Sequence, residues 1–363
     1  MSMLAGVKVL EIADGLTDFG GRILAELGAQ VTVVLPEAPQ EQSRERAWHH
    51  GKTRIVADTA EAVRSLARSA DIILDGQRNG DRFDLAGATE SHSIYIRVAP
   101  FSSTGPYRGR PASDLSLFAL SGLMHVTGEP SGTPLKFPGQ QAYALTGIQA
   151  ATAALMALYS RHRTGKGQSA ELSAFQSTTL ANYREAVMYE WTGRIGRRQG
   201  NLLVRGKSGV RQIWPCKDGY VTWSMIDNPS MMRAVVDVMI EKGAAGELSE
   251  IDWGNILVAD TAQETIERWQ AVFASFFAAH TRDELGQWSL ERGWGLSVIM
   301  APEDVRNSEH LAARGLFVSV TDEETGETVK VPGPLFHSAA MEAPERSLKK
   351  PVAASTLVAG AKQ

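Results

Sequence analysis

The chain of 363 residues has a single cysteine, Cys216. It can close no internal disulfide and supply no thiolate-rich metal site, which removes both an oxidised secreted scaffold and a zinc-stapled one. Basic excess is missing as well. Thirty-seven Lys and Arg against 41 Asp and Glu leave a formal charge of −4, so no global cationic field is available to grip nucleic acid or an anionic membrane. Long apolar runs are also absent: the stretch 150–159 meets charge well before the roughly 18–20 residues a bilayer span needs. The N-terminus has no basic segment leading into an apolar one. These absences point to a cytoplasmic protein with no nucleic-acid or membrane partner. Of the eight histidines only His49 and His50 are adjacent; neighbouring residues point apart on a helix or strand, and no H-x-x-x-H occurs, so no metal site is expected.

Several catalytic motifs are missing too. The first strand is followed by Asp14-Gly15-Leu16-Thr17-Asp18-Phe19-Gly20-Gly21, which lacks the G-x-G-x-x-G spacing of a dinucleotide loop. Thr164-Gly165-Lys166-Gly167 lacks the Walker spacing and suits a helix-ending turn. Ser121 before Gly122 has no preceding glycine at the nucleophile-elbow position. Cys216 sits beside a predicted hairpin turn, where a free cysteine is a small packing residue.

What is present begins with alternation. Short β-branched runs at 7–12, 31–34, 54–57, 71–74 and 94–98 are separated by helical patterns such as 20–27 and 59–69, the pattern of a parallel sheet with crossover helices. Asp18 is a candidate N-cap and Gly28 a candidate left-handed stop. Longer helical patterns cover 114–124 and 146–163, followed by a short strand at 168–172. The stretch 196–209 is rich in Gly and Arg with little apolar periodicity, and a domain boundary is placed there. Beyond it come a hairpin over 214–223, helices near 231–240, 264–279 and 282–291, and a second hairpin over 316–331. The fold class is therefore α/β, with a large domain over 1–205, a smaller α+β domain over 206–300, a return segment over 301–346 completing the large domain, and a loose tail over 347–363. Arginine pairs at 44/46, 78/82, 108/110 and 161/163 are surface groups by default. Arg44 and Arg78, however, follow predicted strands, and ligands of open α/β sheets bind beyond the carboxyl ends of strands. A polyphosphate ligand would need such groups.

Several segments, in order, carry a resemblance: Gly6-Val7-Lys8-Val9-Leu10-Glu11 with Leu27-Gly28-Ala29, Gly51-Lys52-Thr53-Arg54, Gln77-Arg78-Asn79-Gly80, Pro100-Phe101-Ser102-Ser103-Thr104-Gly105-Pro106-Tyr107, Leu120-Ser121-Gly122-Leu123-Met124, Arg163-Thr164-Gly165-Lys166-Gly167-Gln168, Cys216-Lys217-Asp218-Gly219 and Ala313-Arg314-Gly315-Leu316-Phe317. Together they resemble the family III CoA-transferases, the group that includes carnitine and formyl-CoA transferases, bile-acid-inducible CoA-transferases and α-methylacyl-CoA racemases. The resemblance implies a Rossmann-like large domain built from both termini, a smaller middle domain and an interlocked dimer. It also implies coenzyme A, as an acyl-CoA substrate, with a carboxylic acid as the second reactant. The CoA contacts map to Asp14, Gly15, Arg44, Lys52, Gly76, Gln77 and Arg78, with the thioester nearer Phe101. Gly76 and Gln77 stand where an Asn-Phe pair is common in the family.

One departure bears on chemistry. Family transferases use an aspartate a few residues before a Thr-Gly or Gly-Gly pair to take the acyl group as a mixed anhydride and then to carry CoA as a thioester. Counted back from Thr146-Gly147, that place is Tyr143, within Gln140-Gln141-Ala142-Tyr143-Ala144-Leu145. A phenol cannot form a carboxylic anhydride. The racemases add a histidine just before the Asp114 position, and Ser113 stands there. The chain thus looks closest to a branch lacking the catalytic aspartate, similar to the non-catalytic-type subunit of benzylsuccinate CoA-transferases. Asp114, also a candidate cap for its own helix, and Glu129 are the carboxylates that could substitute. The function implied is a CoA-transferase, acting alone as a homodimer or as a heterodimer with an aspartate-bearing homologue. The alternatives are a non-covalent acyl-CoA isomerase, hydratase or lyase, and a CoA-binding paralogue without catalysis.

Overall fold

Alternating strand and helix signals in the first hundred residues produce β1 (Lys8–Ile12), α1 (Asp18–Glu26), β2 (Gln30–Val34), α2 (Gln42–His49), β3 (Thr53–Val56), α3 (Ala60–Arg68), β4 (Ile72–Asp75) and β5 (Ile94–Ala99). They are followed by α4 (Asp114–Leu120), α5 (Leu123–Val126), α6 (Gln141–Thr164), β6 (Ser169–Ser173), α7 (Ala174–Leu180) and α8 (Tyr183–Thr192). The computed structural model describes residues 2–36, 42–77, 82–334 and 347–360. Within them a seven-stranded sheet runs in the order Val352–Ala353, β3, β2, β1, β4, β5, β6. Every pairing in it is parallel. The chain winds outward from β1 through β2 to β3, then crosses back through α3 and winds the other way through β4, β5 and β6. The direction therefore reverses between β1 and β4, and such a switch point opens a crevice at the strands' carboxyl ends.

Both faces of the sheet are covered, which is why its strands read as near-continuous apolar runs. Val9, Val31, Ile72, Leu74, Ile94, Ile96 and Val98 face α1 and α6. Leu10, Ile12, Val34, Ile55 and Ile73 face α3 and the C-terminal helix. Helices α1 and α6 cross at two glycines: a Cβ on Gly147 would stand 2.8 Å from the Gly20 nitrogen, so only glycine admits this approach. At 24 residues α6 is long and apolar enough to cross a membrane by length and composition alone. Its face bearing Ala142, Thr146, Ala150 and Ala154 is buried, and Gly165, with φ of +72°, closes it.

Two sequence expectations change here. The segment beginning at 347 is not loose where the structure describes it. Val352 and Ala353 pair with Ile55 and Val56 to form the seventh strand, and Ala354, Leu357 and Val358 of the helix Ala354–Gly360 join the cluster on α3. An Ala-rich stretch shows too little periodicity to announce that role, and its partner strand lies nearly a whole chain away. Helix α6 also starts at Gln141, ahead of the pattern beginning at Thr146, because its first turn is capped from outside, as described below.

Tertiary contacts divide the chain into two compact units: Met1–His125 with Lys136–Gly196 and Ser308–Gln363, and Val126–Leu135 with Arg197–Asn307. The second contains the three-stranded sheet of Ile213–Cys216, Gly219–Thr222 and Ser297–Val298. Its Gly- and Arg-rich start folds as an antiparallel hairpin, Leu202–Arg205 on Ser208–Arg211, anchored by buried Val210.

Candidate functional site

At the switch point the turn after β1 is organised by short-range hydrogen bonds. The Thr17 hydroxyl donates to the Ile12 carbonyl at 2.9 Å, Leu16 N–H donates to Asp14 Oδ1 at 3.0 Å, and Gly15 N–H donates to Asp18 Oδ1 at 3.1 Å. Gly15 has φ of +100°, a left-handed conformation that favours glycine. Asp18 is the first residue of α1, and Thr17 holds the cap position without a side-chain bond to the helix. The aspartate therefore anchors the turn instead of capping the helix as the sequence pattern suggested. Across the crevice, after β4, a Cβ on Gly76 would lie 2.6 Å from the Ile12 oxygen and 2.8 Å from Asp14 Oδ1. Glycine here is a packing requirement, and it brings Asp14, Gly15 and Gly76 together. The Gln77 side chain is engaged locally: its Nε2 donates to Asp75 Oδ1 at 3.0 Å and its Oε1 accepts from Phe83 N–H at 3.1 Å. Arg78 lies outside the described residues.

Arg44, on α2, points a guanidinium nitrogen at Gln140 Oε1 at 2.8 Å and covers the Trp48 ring at 5.8 Å. Its Nε is buried without a hydrogen-bond partner among the described residues. The arginine thus stands beside the residue that precedes α6. Lys52 is placed differently. Only 2% exposed, it donates to Glu11 Oε2 at 2.7 Å and to the Asp18 carbonyl at 2.8 Å. His49 completes the group, with Nε2 3.3 Å from Asp18 Oδ2 and both side chains fully buried.

This buried cluster of Glu11, Asp18, His49 and Lys52 was missed from sequence. Its one legible signal was Glu11, a carboxylate inside an apolar strand. Burial pushes Glu11 up, against the attraction of Lys52. Burial would raise Asp18 too, but the hydrogen bond and charge from His49, aided by Lys52, hold it below the usual carboxylate range. Burial lowers His49, with Asp18 opposing. Glu11, Asp18 and His49 place ligand atoms within 4.8 Å of one another, but the Lys52 ammonium already sets a cation against Glu11.

Phe101, just past β5, is 8% exposed and packs edge-on against Tyr107 and Phe175 with centroids 5.2 and 5.8 Å away. Tyr143 lies buried in the first turn of α6. That turn is capped by a neighbouring helix: Asp114 Oδ1 accepts from Ala142 N–H at 2.8 Å and Tyr143 N–H at 3.3 Å, while Oδ2 lies 3.4 Å from Lys136 Nζ. Helix α4 is capped by Ser113 with Ser116, so Asp114 is free to serve α6, where a carboxylate also meets the positive end of a long helix. Glu129 is exposed and lies in the second unit.

A family model described as CoA-transferase family III matches residues 4–353. The chain belongs to that family. A Thauera aromatica protein named succinyl-CoA:(R)-benzylsuccinate CoA-transferase subunit BbsE is 26% identical over 359 residues, spanning 90% of this chain and 86% of its own length. A succinate–glutarate CoA-transferase of Agrobacterium fabrum is 29% identical over 271 residues, spanning 65% of this chain and 66% of its own. The crystal structure of a CAIB/BAIF family protein from Brucella suis superposes with a TM-score of 0.79 at 23% identity, covering 99% of each chain. The last likeness carries the fold: a mixed α/β architecture around a parallel seven-stranded sheet. The resemblance drawn from the motifs holds, and CoA thioesters are the substrates of the family to which the chain belongs.

Proposed function

We propose that this chain binds an acyl-CoA across the β1/β4 crevice and takes part in CoA transfer as the subunit without the acyl-accepting carboxylate, which an aspartate-bearing homologue supplies. The phosphates would meet Arg44 beside the Asp14-Gly15 and Gly76-Gln77 loops, with Arg78, next after Gln77 in the sequence, as a further cation, and the thioester would lie toward Phe101 and the start of α6. The observation that carries the reading is Tyr143, a buried phenol in the first α6 turn where the family's aspartate is expected. The neighbouring carboxylate, Asp114, is occupied by two backbone N–H groups and Lys136. A partner chain also suits the exposed apolar side chains of the first unit: Met156 and Tyr159 on α6 are each 68% exposed, and Trp191 on α8 is 85% exposed. The interlocked dimer implied by the Rossmann-like family fold would cover such side chains.

The test is thioester exchange. The purified chain alone should bind CoA and acyl-CoA yet exchange no acyl group, and co-expression with an aspartate-bearing homologue should restore exchange. Hydroxylamine trapping on the chain alone should yield no hydroxamate. Tyr143→Asp should create a slow nucleophile, slow because placement errors of about 1 Å cost roughly a hundredfold. A covalent acyl or CoA adduct on wild-type Asp114 or Glu129 would overturn the subunit role and make the chain a transferase in its own right.

A further inference from the structure

The Lys52 cluster is costly by construction. Four ionisable side chains, Glu11 on β1, Asp18 on α1, His49 on α2 and Lys52 before β3, are 0–2% exposed, and buried charge is retained only when it is paired and hydrogen-bonded. Room for it is made by Gly21, where a Cβ would stand 1.7 Å from Glu11 Oε2 and 2.9 Å from Lys52 Nζ. Glycine in a helix interior weakens the helix, so α1 accepts a local cost at the residue that admits the ion pair.

The cluster reaches the crevice through Asp18. Lys52 Nζ holds the Asp18 carbonyl, Asp18 Oδ1 holds the Gly15 N–H, and Asp18 Oδ2 faces His49. His49 closes the helix that also carries Arg44. The turn after β1 and the arginine-bearing helix are thus both fixed to one buried ion pair. If the Lys52 ammonium turned to a phosphate in the crevice, Glu11 would remain in the core beside Asp18 with no cation against it, the costliest arrangement of such a pair.

We infer that Lys52 is a positioning residue, acting with Glu11 through Asp18 to set the Gly15 turn and α2 for CoA, and that it does not touch the phosphates. The inference rests on the proposal that CoA occupies this crevice.

Reductive methylation of wild-type lysines, mapped by mass spectrometry with and without saturating CoA, tests it directly. Lys52 should stay unmodified in both states. Modification in the free chain with protection by CoA, or modification in both, would overturn the inference. A mutant cycle supplies the second readout, with CoA affinity taken by calorimetry at low and high ionic strength. Lys52→Met should lose at least about tenfold in affinity, or fail to fold, because it strands Glu11. Glu11→Gln combined with Lys52→Met should return to within about threefold of wild type with an unchanged salt dependence, since removing both buried charges is nearly neutral and salt screens exposed contacts far more than buried ones. A folded double variant as weak as Lys52→Met, with a shallower salt dependence, would place the ammonium on a phosphate. Failure of the wild-type chain to bind CoA at all would sink the ligand assignment and this role together, whereas CoA binding with Lys52 open to methylation removes this role alone.

Discussion

Among the described residues, the buried charges lie in the first unit: Glu11, Asp18, Arg22, Glu26, Lys52, Arg54, Asp75, Asp114 and Asp322. The second unit buries Ser208, Gln270 and Ser289 as its polar residues and fills its core with aromatics. Six of the chain's eight tryptophans fall between 214 and 294, and they interlock: Trp223 packs on Phe273 with centroids 4.6 Å apart, Trp214 meets Phe277 edge-on at 5.4 Å, and the Trp214 indole N–H donates to the Trp223 carbonyl at 2.7 Å. Such a core derives stability from area and shape. The first unit instead gives up part of that stability to hold ionic groups under the ends of its strands. The contrast puts the proposed ligand chemistry in the unit that holds buried charge, beside a unit whose core is built from aromatic packing.

The sharpest way to break this comparison is to damage the aromatic core and look for an effect on the ligand. Phe277→Ala, at a fully buried position, should cost about 3–5 kcal/mol in denaturant unfolding followed by tryptophan fluorescence, with CoA affinity unchanged. A parallel fall in affinity would show that the units do not divide the work. Gly147→Ala should cost less, about 1–3 kcal/mol, since its Cβ would press on the Gly20 nitrogen and on Phe19. It should weaken CoA binding too, because α1 carries the crevice turn; unchanged calorimetric affinity would separate the helix crossing from the site. Arg44→Ala should leave unfolding nearly unaffected and weaken CoA about tenfold, about 1.4 kcal/mol, with a shallower salt dependence. Unchanged affinity would move the phosphates elsewhere.

Per pH unit, the smallest effect concerns proton linkage. Burial raises folded Glu11 above the ordinary carboxyl, which releases its proton near 4.5, while the Lys52 ammonium opposes the rise. Above the ordinary value, until the folded carboxyl ionises against Lys52, the native state holds the extra proton, so the contribution of Glu11 to stability declines as pH rises. Relative to Glu11→Gln, the wild-type chain should lose stability across that window by roughly 1 kcal/mol per pH unit at most. A pH-independent difference between the two proteins would show that Glu11 is ionised throughout.

Sequence alone determined the parallel strands up to β6, the two hairpins, the helix stop at Gly165 and the family, because periods of two and 3.6 residues and ordered short motifs are local properties of the chain. It also showed the absence of a carboxylate at Tyr143, but not that Tyr143 lies in the first turn of α6. Only the tertiary structure decided which partner each charge takes. Lys52 looks like a free cation in the sequence and folds against Glu11; Asp114 looks like the cap of its own helix and caps α6; Asp18 looks like a cap and ties Gly15 to His49. The Val352–Ala353 strand is legible only once β3 offers it an open edge. The physical reason is common to all four: an ionic or strand-edge group takes the partner that three-dimensional proximity and exclusion of water make favourable, and neither is written in the spacing of residues along the chain.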